Sequence, residues 1–370
     1  MQEPRHITLS IEQFIKRSWP LLAVGAVLLF ITSALLFWFA VSGKGRTASG
    51  VVATSTEQVV VSTSTQDLIP RSLDGVLVPV DQSRLQAYAV MVENNPDARP
   101  LSGPAKANLV YEVPVEGGLT RFMLVFDATT TVDAIGPVRS ARPYFVDFAD
   151  SLNAVYAHVG GSPAALDQLK AMKSVRDLNE FFNGKYFWRS AKREAPHSTY
   201  TRTDLLHEAG IEKKWSEGHF RSWRYTDDEP DSGTSTRRGV LNGPNFGSTG
   251  WQQAHWTYQP KENTYQRFEA NVMAKDQDGT AVQAKNVVVL LTDGKVLDPE
   301  GRLSIRTTGK GKAFLYHNGK RESIMWYRTA GEHLRFETVD GLEATLNRGT
   351  TWIEVVIDGT VFSAIEGQGK

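Results

Sequence analysis

The sequence predicts a layered α/β N-terminal domain with a central sheet, followed by a small antiparallel β-rich domain, behind one N-terminal transmembrane helix. Three observations predict it. An uncharged apolar run, Trp19–Val41, lies near the N-terminus. Between residues 73 and 235 short apolar runs alternate with helical patterns and polar turns. From residue 236 onward, strand-like runs are separated by Asp278-Gly279, Asp293-Gly294, Asn318-Gly319, Asp340-Gly341 and Arg348-Gly349. Strands alternating with helices read as α/β layers, whereas regularly spaced short strands with such turns read as a sandwich or open barrel. A chain of 370 residues also exceeds one domain's usual share.

Composition narrows the function. Lys+Arg and Asp+Glu are both 41, so the formal net charge is zero and no basic tract calls for a nucleic-acid partner. The chain has no cysteine, which excludes disulfides, thiol catalysis, cysteine-ligated metal and lipid attachment through a thioether.

Taken in order, residues 1–18 read as a short cytoplasmic arm. Residues 19–41 read as the membrane helix, since about 20 apolar residues span the hydrocarbon core. Lys16 and Arg17 precede the run, and Trp38 sits near its far end as an interface anchor. Its length favours an uncleaved anchor over a signal peptide. Residues 42–72, rich in Ser, Thr, Val and Ala, read as an extended linker.

The first domain, 73–235, opens with a strand at Ala87–Glu93 that closes on the turn Asn94-Asn95-Pro96-Asp97. Strands follow at Asn108–Val113 and Thr120–Asp127, joined through Glu116-Gly117-Gly118-Leu119, and a short one at Ala134–Val138. Pro143–Ser151 reads as a helix with Pro143 in its first turn, where the missing N–H costs nothing. Ala154–Val159 reads as a strand. Ser162 caps the helix expected over Ala164–Lys173, and Asp204–Ala209 reads as another helix. The second domain, 236–370, carries strands at Trp256–Tyr258, Thr264–Glu269, Asn286–Leu291, Ala313–Tyr316, Ser323–Tyr327, Leu334–Thr338 and Thr351–Ile357. Thr226–Ser235 reads as the boundary.

The residues with chemistry to offer cluster in the first domain. Arg99, Arg121, Arg139 and Arg142 stand at the edges of buried-looking runs. A guanidinium presents a planar fork of donors that matches phosphate oxygens in pairs. A helix starting at Ser140–Pro143 would aim free N–H groups at the same place. The bland alternative is that these arginines pair with Glu112, Glu116, Asp127 or Asp147. Glu116 and Asp127 are the candidate metal ligands, for one Mg²⁺ completed by water and substrate phosphate. With His197, in a polar loop, they are also the candidate catalytic residues. His158, inside an apolar strand, reads as a core histidine. Ser140, Ser162 and Ser198 lack the GxSxG setting of a hydrolase nucleophile.

With those residues in view, the chain resembles the YerB-like family, bacterial envelope proteins whose domain has no established function. The resemblance rests on Ala98–Phe122, Ile135–Phe145, Tyr156–Pro163 and Pro196–Thr201, with a C-terminal match over Ala284–Gly294 and Gly349–Val356. It implies a membrane-attached lipoprotein, from which this cysteine-free chain departs. The order RFMLVFD, IGPVRSARPYF, LNAVYAHVGG is also similar to that of the LytR-CpsA-Psr phosphotransferases. That likeness implies that Arg121, Arg139 and Arg142 hold pyrophosphate, with Glu116 or Asp127 as a Mg²⁺-bound acid. The Arg-Asp-Thr tripeptide of those enzymes is absent, Arg142 being followed by Pro143 and Tyr144.

The expectation is thus a single-pass cell-membrane protein with its globular part outside the cytoplasm. It would bind a phosphorylated cell-wall glycan or lipid-linked precursor through the arginines. The alternative is a non-catalytic scaffold for cell-wall synthesis proteins, docking through Phe181, Phe182, Tyr186, Phe187 and Trp188.

Overall fold

The computed structural model describes residues 67–215, 218–229, 242–245 and 254–357. The apolar run Trp19–Val41, the arm before it and the linker up to residue 66 lie outside the described residues. Among the described residues no helix is long and apolar enough to cross a membrane. Residues 67–72, expected in the linker, belong to the fold. Leu68–Pro70 pairs antiparallel with Leu77–Pro79, and Arg71 bonds Asp74 and Asp127.

One mixed sheet of ten strands organises the protein. In chain order its strands are β1 (Ala87–Glu93), β2 (Leu109–Pro114), β3 (Thr120–Asp127), β4 (Val155–His158) and β5 (Arg176–Asn179). After β6 (Ala254–Gln259) and β7 (Thr264–Glu269), which belong to a second sheet, it continues with β8 (Asn286–Thr292), β9 (Gly309–His317) and β10 (Lys320–Arg328). β11 (Arg335–Thr338) and β12 (Thr351–Ile357) complete it. The order across the sheet is β11-β10-β9-β8-β12-β2-β3-β1-β4-β5. Three α-helices are described: α1 (Pro143–Ser151), α2 (Pro163–Ala171) and α3 (Thr203–Glu212).

This bears out the central sheet and corrects one part of the expected fold class. The β-rich C-terminal half is present, but it does not close a separate antiparallel domain. β12 lies between β8 and β2 and is parallel to both, so one sheet runs through both halves of the sequence. The residues explain why. NVVVLLT and TWIEVVI are apolar on both faces and buried almost throughout, the signature of strands covered on both sides. The Arg224–Thr226 segment, near the expected boundary, likewise pairs with Thr345–Asn347. Ala134–Val138 forms no strand. It makes isolated bridges from Ile135 to Thr201, Gly136 to Ser102 and Val138 to Val92, because Pro137 cannot donate to a ladder.

The period-2 alternation of the central strands sends side chains to two cores. On one face Ala89, Met91, Tyr111, Met123 and Val125 meet Tyr144, Phe145 and Phe148 of α1, with Tyr111 stacked on Phe148 at 4.6 Å. Each fully buried large side chain contributes roughly 1.5–3 kcal/mol, and this burial holds a nine-residue helix that would be marginal alone. On the other face Val90, Val92, Phe122 and Leu124 meet α3, and Trp352 meets Trp256 and Tyr265 of the second sheet.

That second sheet is clamped to the first by ions. Arg267 of β7, only 1% exposed, lies 3.0 Å from Glu112 of β2 and 3.1 Å from Glu354 of β12. The two carboxylates are register neighbours on parallel strands. Trp256 and Trp352 donate their indole N–H groups to Glu354 and Glu112. Burial first, then the charge of Glu112, raise the Glu354 pKa well above the usual carboxylate value.

Candidate anion-binding site

Strand direction assembles the site. β1, β2, β4 and β5 run parallel and β3 runs against them. Their shared edge therefore carries Glu93 at the end of β1, Arg121 near the start of β3 and Glu116 just past β2. The same edge carries Gly160 and Gly161 past β4. Sheet edges of this kind, outside the carboxyl ends of parallel strands, are where ligands sit in open α/β sheets. The Val138–Ala141 segment is laid between β1 and β4: Arg139 donates its N–H to Met91, and Ala141 donates to Gly160 at 3.0 Å. From there α1 begins with Arg142 at its N-cap and Pro143 at its first position. α2 begins beside it, Ser162 accepting from the Ala165 N–H.

Arg121, Arg139 and Arg142 converge here. Arg142 makes a two-toothed pair with Glu116, at 2.5 and 2.8 Å. Arg139 lies 3.5 Å from Glu93, and His197 Nδ1 lies 2.9 Å from both Glu93 oxygens. Arg121 differs from both. It is 7% exposed and donates one hydrogen bond, 2.6 Å to the Ser140 carbonyl at the entry to α1. Its Nε has no partner, and no carboxylate among the described residues pairs with it. Burial, then the charges of Arg142 and Arg139, push its pKa down to about 10. At Glu116 burial pushes upward, but the Arg142 bonds and the Arg142 and Arg121 charges outweigh it and hold the carboxyl below its usual value.

The other candidates lie elsewhere. Asp127 is at the opposite end of β3 from Arg121, roughly 20 Å along the strand, where its carboxylate accepts from Arg71 and from the Thr129 N–H and hydroxyl. It does not share a site with Glu116. Arg99 is held by Glu269 at 2.8 Å and by Asn94, and its charged neighbours are Glu269, Arg267 and Glu112, those of the ionic clamp. Glu112 belongs to that clamp, and Asp147 accepts from Gln168 and Thr307. His158 is fully buried between the Gly160 carbonyl and Asp177. Ser140 offers its carbonyl to Arg121, and Ser198 is buried.

Glu93 is the site residue that sequence reading missed. A charged residue closing an otherwise apolar strand was its signal. Of the five aromatic candidates, Tyr186 and Phe187 are buried, whereas Phe181 and Phe182 are 65% and 85% exposed. Phe181 lies against Gly160 (φ +57), where a Cβ would come within 2.9 Å of the ring.

Three positive groups against two carboxylates leave the cluster one charge in excess, placed where two helices start. Such a seat suits a phosphate or another oxyanion.

Comparison with known proteins points one way. Residues 75–217 match the N-terminal domain of the DUF3048 family of proteins of unknown function, and residues 246–353 match its C-terminal domain. The chain is 28% identical over 325 residues to "Putative lipoprotein YerB" of Bacillus subtilis (strain 168), covering 84% of this chain and 95% of that protein. It is also similar to the crystal structure of the YerB protein from Bacillus subtilis. The TM-score is 0.69 at 27% identity, over 78% of this chain and 97% of that one.

Proposed function

The chain belongs to the YerB-like family, both of whose domains it carries, and from that premise we propose a membrane-attached, extracytoplasmic envelope protein with an anion seat. Its ligand is a phosphorylated cell-wall glycan or a lipid-linked precursor, held by Arg121, Arg139 and Arg142. Arg121 carries this reading. A buried guanidinium with one bond to a carbonyl leaves donors unmet, and burying a charge without a partner is costly. An incoming oxyanion would supply the missing partner. The B. subtilis relative is named a lipoprotein, which supports attachment to a membrane. Here no cysteine is available for a lipid, and the apolar run Trp19–Val41 would serve instead. His197 and Glu93 would be placed to handle a proton next to the bound anion; Glu116, tied to Arg142, would orient that arginine.

The test titrates the full chain in mild detergent with pyrophosphate and with undecaprenyl pyrophosphate, each with and without Mg²⁺, following thermal unfolding. Saturable stabilisation lost in an Arg139→Ala, Arg142→Ala double variant is the expected result. Absence of any shift in the wild type would sink the anion reading. It would favour the scaffold reading, for which the exposed pair Phe181 and Phe182 is the observation in hand.

A further inference from the structure

A cavity of about 760 Å³ opens where the C-terminal end of α1 meets the turn between β10 and β11, within the range of small-molecule sites. It shares no residue with the arginine seat. His333 lines it. This side chain is 5% exposed, yet among the described residues neither ring nitrogen has a hydrogen-bond partner. Two aromatic rings fix the imidazole: Trp223 at 4.4 Å and Phe220 at 5.4 Å between ring centroids. Trp223 is itself pinned, donating its indole N–H to the Leu334 carbonyl at 2.7 Å. Buried polar groups in native proteins are satisfied, so a held imidazole with both nitrogens idle calls for a partner that the described residues do not supply.

The chemistry of the walls names that partner. Burial, then the charge of Arg328, depress the His333 pKa to about 3, so the ring is neutral. A neutral imidazole offers one donor and one acceptor, which an amide group's C=O and N–H complement. Around the mouth stand charges of both signs. Asp150, in the last turn of α1, and Glu332 are acidic, and the negative end of the helix dipole adds to them. Arg221 and Arg335 are basic. Arg221 reaches Glu343 at 3.2 Å, while Arg335 has no ion pair among the described residues.

We propose that this cavity binds a short zwitterionic peptide. Its ammonium group faces Asp150 and Glu332, its carboxylate faces Arg335 and Arg221, and an amide between them bonds His333. This site is independent of the anion seat.

Calorimetric titration of the full chain with trialanine, its N-acetyl form and its C-terminal amide tests the proposal. Trialanine should bind saturably, and each blocked form about tenfold more weakly or worse. His333→Phe keeps an aromatic ring, one atom larger, and removes both nitrogens. It should weaken trialanine about tenfold without lowering the unfolding temperature. Should that variant fail to fold, Arg335→Gln and Glu332→Gln, on the partly exposed rim, carry the test. The first should erase the preference for a free carboxylate, the second the preference for a free amine. Binding should survive Arg121→Met. The idea is overturned by no saturable binding of trialanine at millimolar concentration or by equal binding of the blocked peptides. It is equally overturned by ordered waters on both His333 nitrogens in a crystal soaked with trialanine.

Discussion

Arg121→Met separates an arginine kept for a ligand from one kept for the fold. The guanidinium is buried, and its pKa is pushed from 12.5 down to about 10 by burial and by Arg142 and Arg139. At about 1.4 kcal/mol per unit, the folded environment disfavours the charge by roughly 3 kcal/mol. Methionine removes that cost and fills similar apolar space. It also leaves the Ser140 carbonyl without its 2.6 Å donor, a loss of about 1–3 kcal/mol. The two effects offset, so the ligand-free variant should unfold within about 2 kcal/mol of wild type. Urea unfolding followed by tryptophan fluorescence measures this. Repeating it with pyrophosphate at about 100 times Kd should add about 2.7 kcal/mol to the wild type and nothing to the variant. The reasoning fails if the ligand-free variant loses the roughly 3–5 kcal/mol typical of a broken buried ion pair. It also fails if pyrophosphate stabilises both proteins equally.

Four further substitutions probe the clamp and the sheet. Glu354 holds its proton more tightly folded than unfolded. Wild type should therefore lose stability as pH rises from about 4.5 through the folded value, and Glu354→Gln should gain on wild type over that interval. Urea midpoints at about pH 4.5, 6 and 8 report it, and a constant gap across them would refute the raised pKa. Arg267→Met leaves Glu112 and Glu354 facing each other unpaired and should cost about 3–5 kcal/mol in chemical unfolding. Adding Glu112→Gln should restore part of it, and no recovery would count against the clamp. At Gly311 a Cβ would fall on the Trp326 indole nitrogen and within 2.9 Å of the Leu291 carbonyl oxygen. Gly311→Ala should thus cost about 1–3 kcal/mol and redshift tryptophan emission, whereas a silent variant would show that the indole can move aside.

Local pattern was legible where it depends on neighbours in sequence. β1, β3, β7 and β12 occupy the expected residues, and α1 starts at Pro143, because alternation, proline position and turn residues act over a few positions. Arg121, Arg139 and Arg142 could be grouped because one strand end and one helix start lie close in the chain. Strand partners are a different matter. Nothing in TWIEVVI says that it joins β2 rather than another C-terminal strand, since period 2 reports burial and not the neighbour. The same gap hid the clamp: Arg267, Glu112 and Glu354 come from three distant stretches and meet only after the sheet closes. Arg99 and Asp127 read as site residues because each stands at the edge of an apolar run near the other arginines, but strand polarity puts Asp127 at the far end, and Arg99, on no strand, pairs with Glu269. The cavity at His333 left no sequence signal, because a lone histidine in a polar turn looks like solvent-exposed chain.

The placement of β12 has a consequence for the order in which the protein can be made. The strand that completes the middle of the sheet is the last one described, Thr351–Ile357, and it seats on Leu109–Pro114, among the first. During synthesis the N-terminal half emerges with β2 open along one side, largely apolar apart from Glu112 and ready to pair with any strand it meets. A ribosome-bound or truncated chain ending before residue 351 should therefore remain protease-sensitive and self-associating. Holding such an edge until translation ends is work for a chaperone, and expressing the N-terminal half alone with a detached Thr351–Ile357 peptide should relieve the need for one.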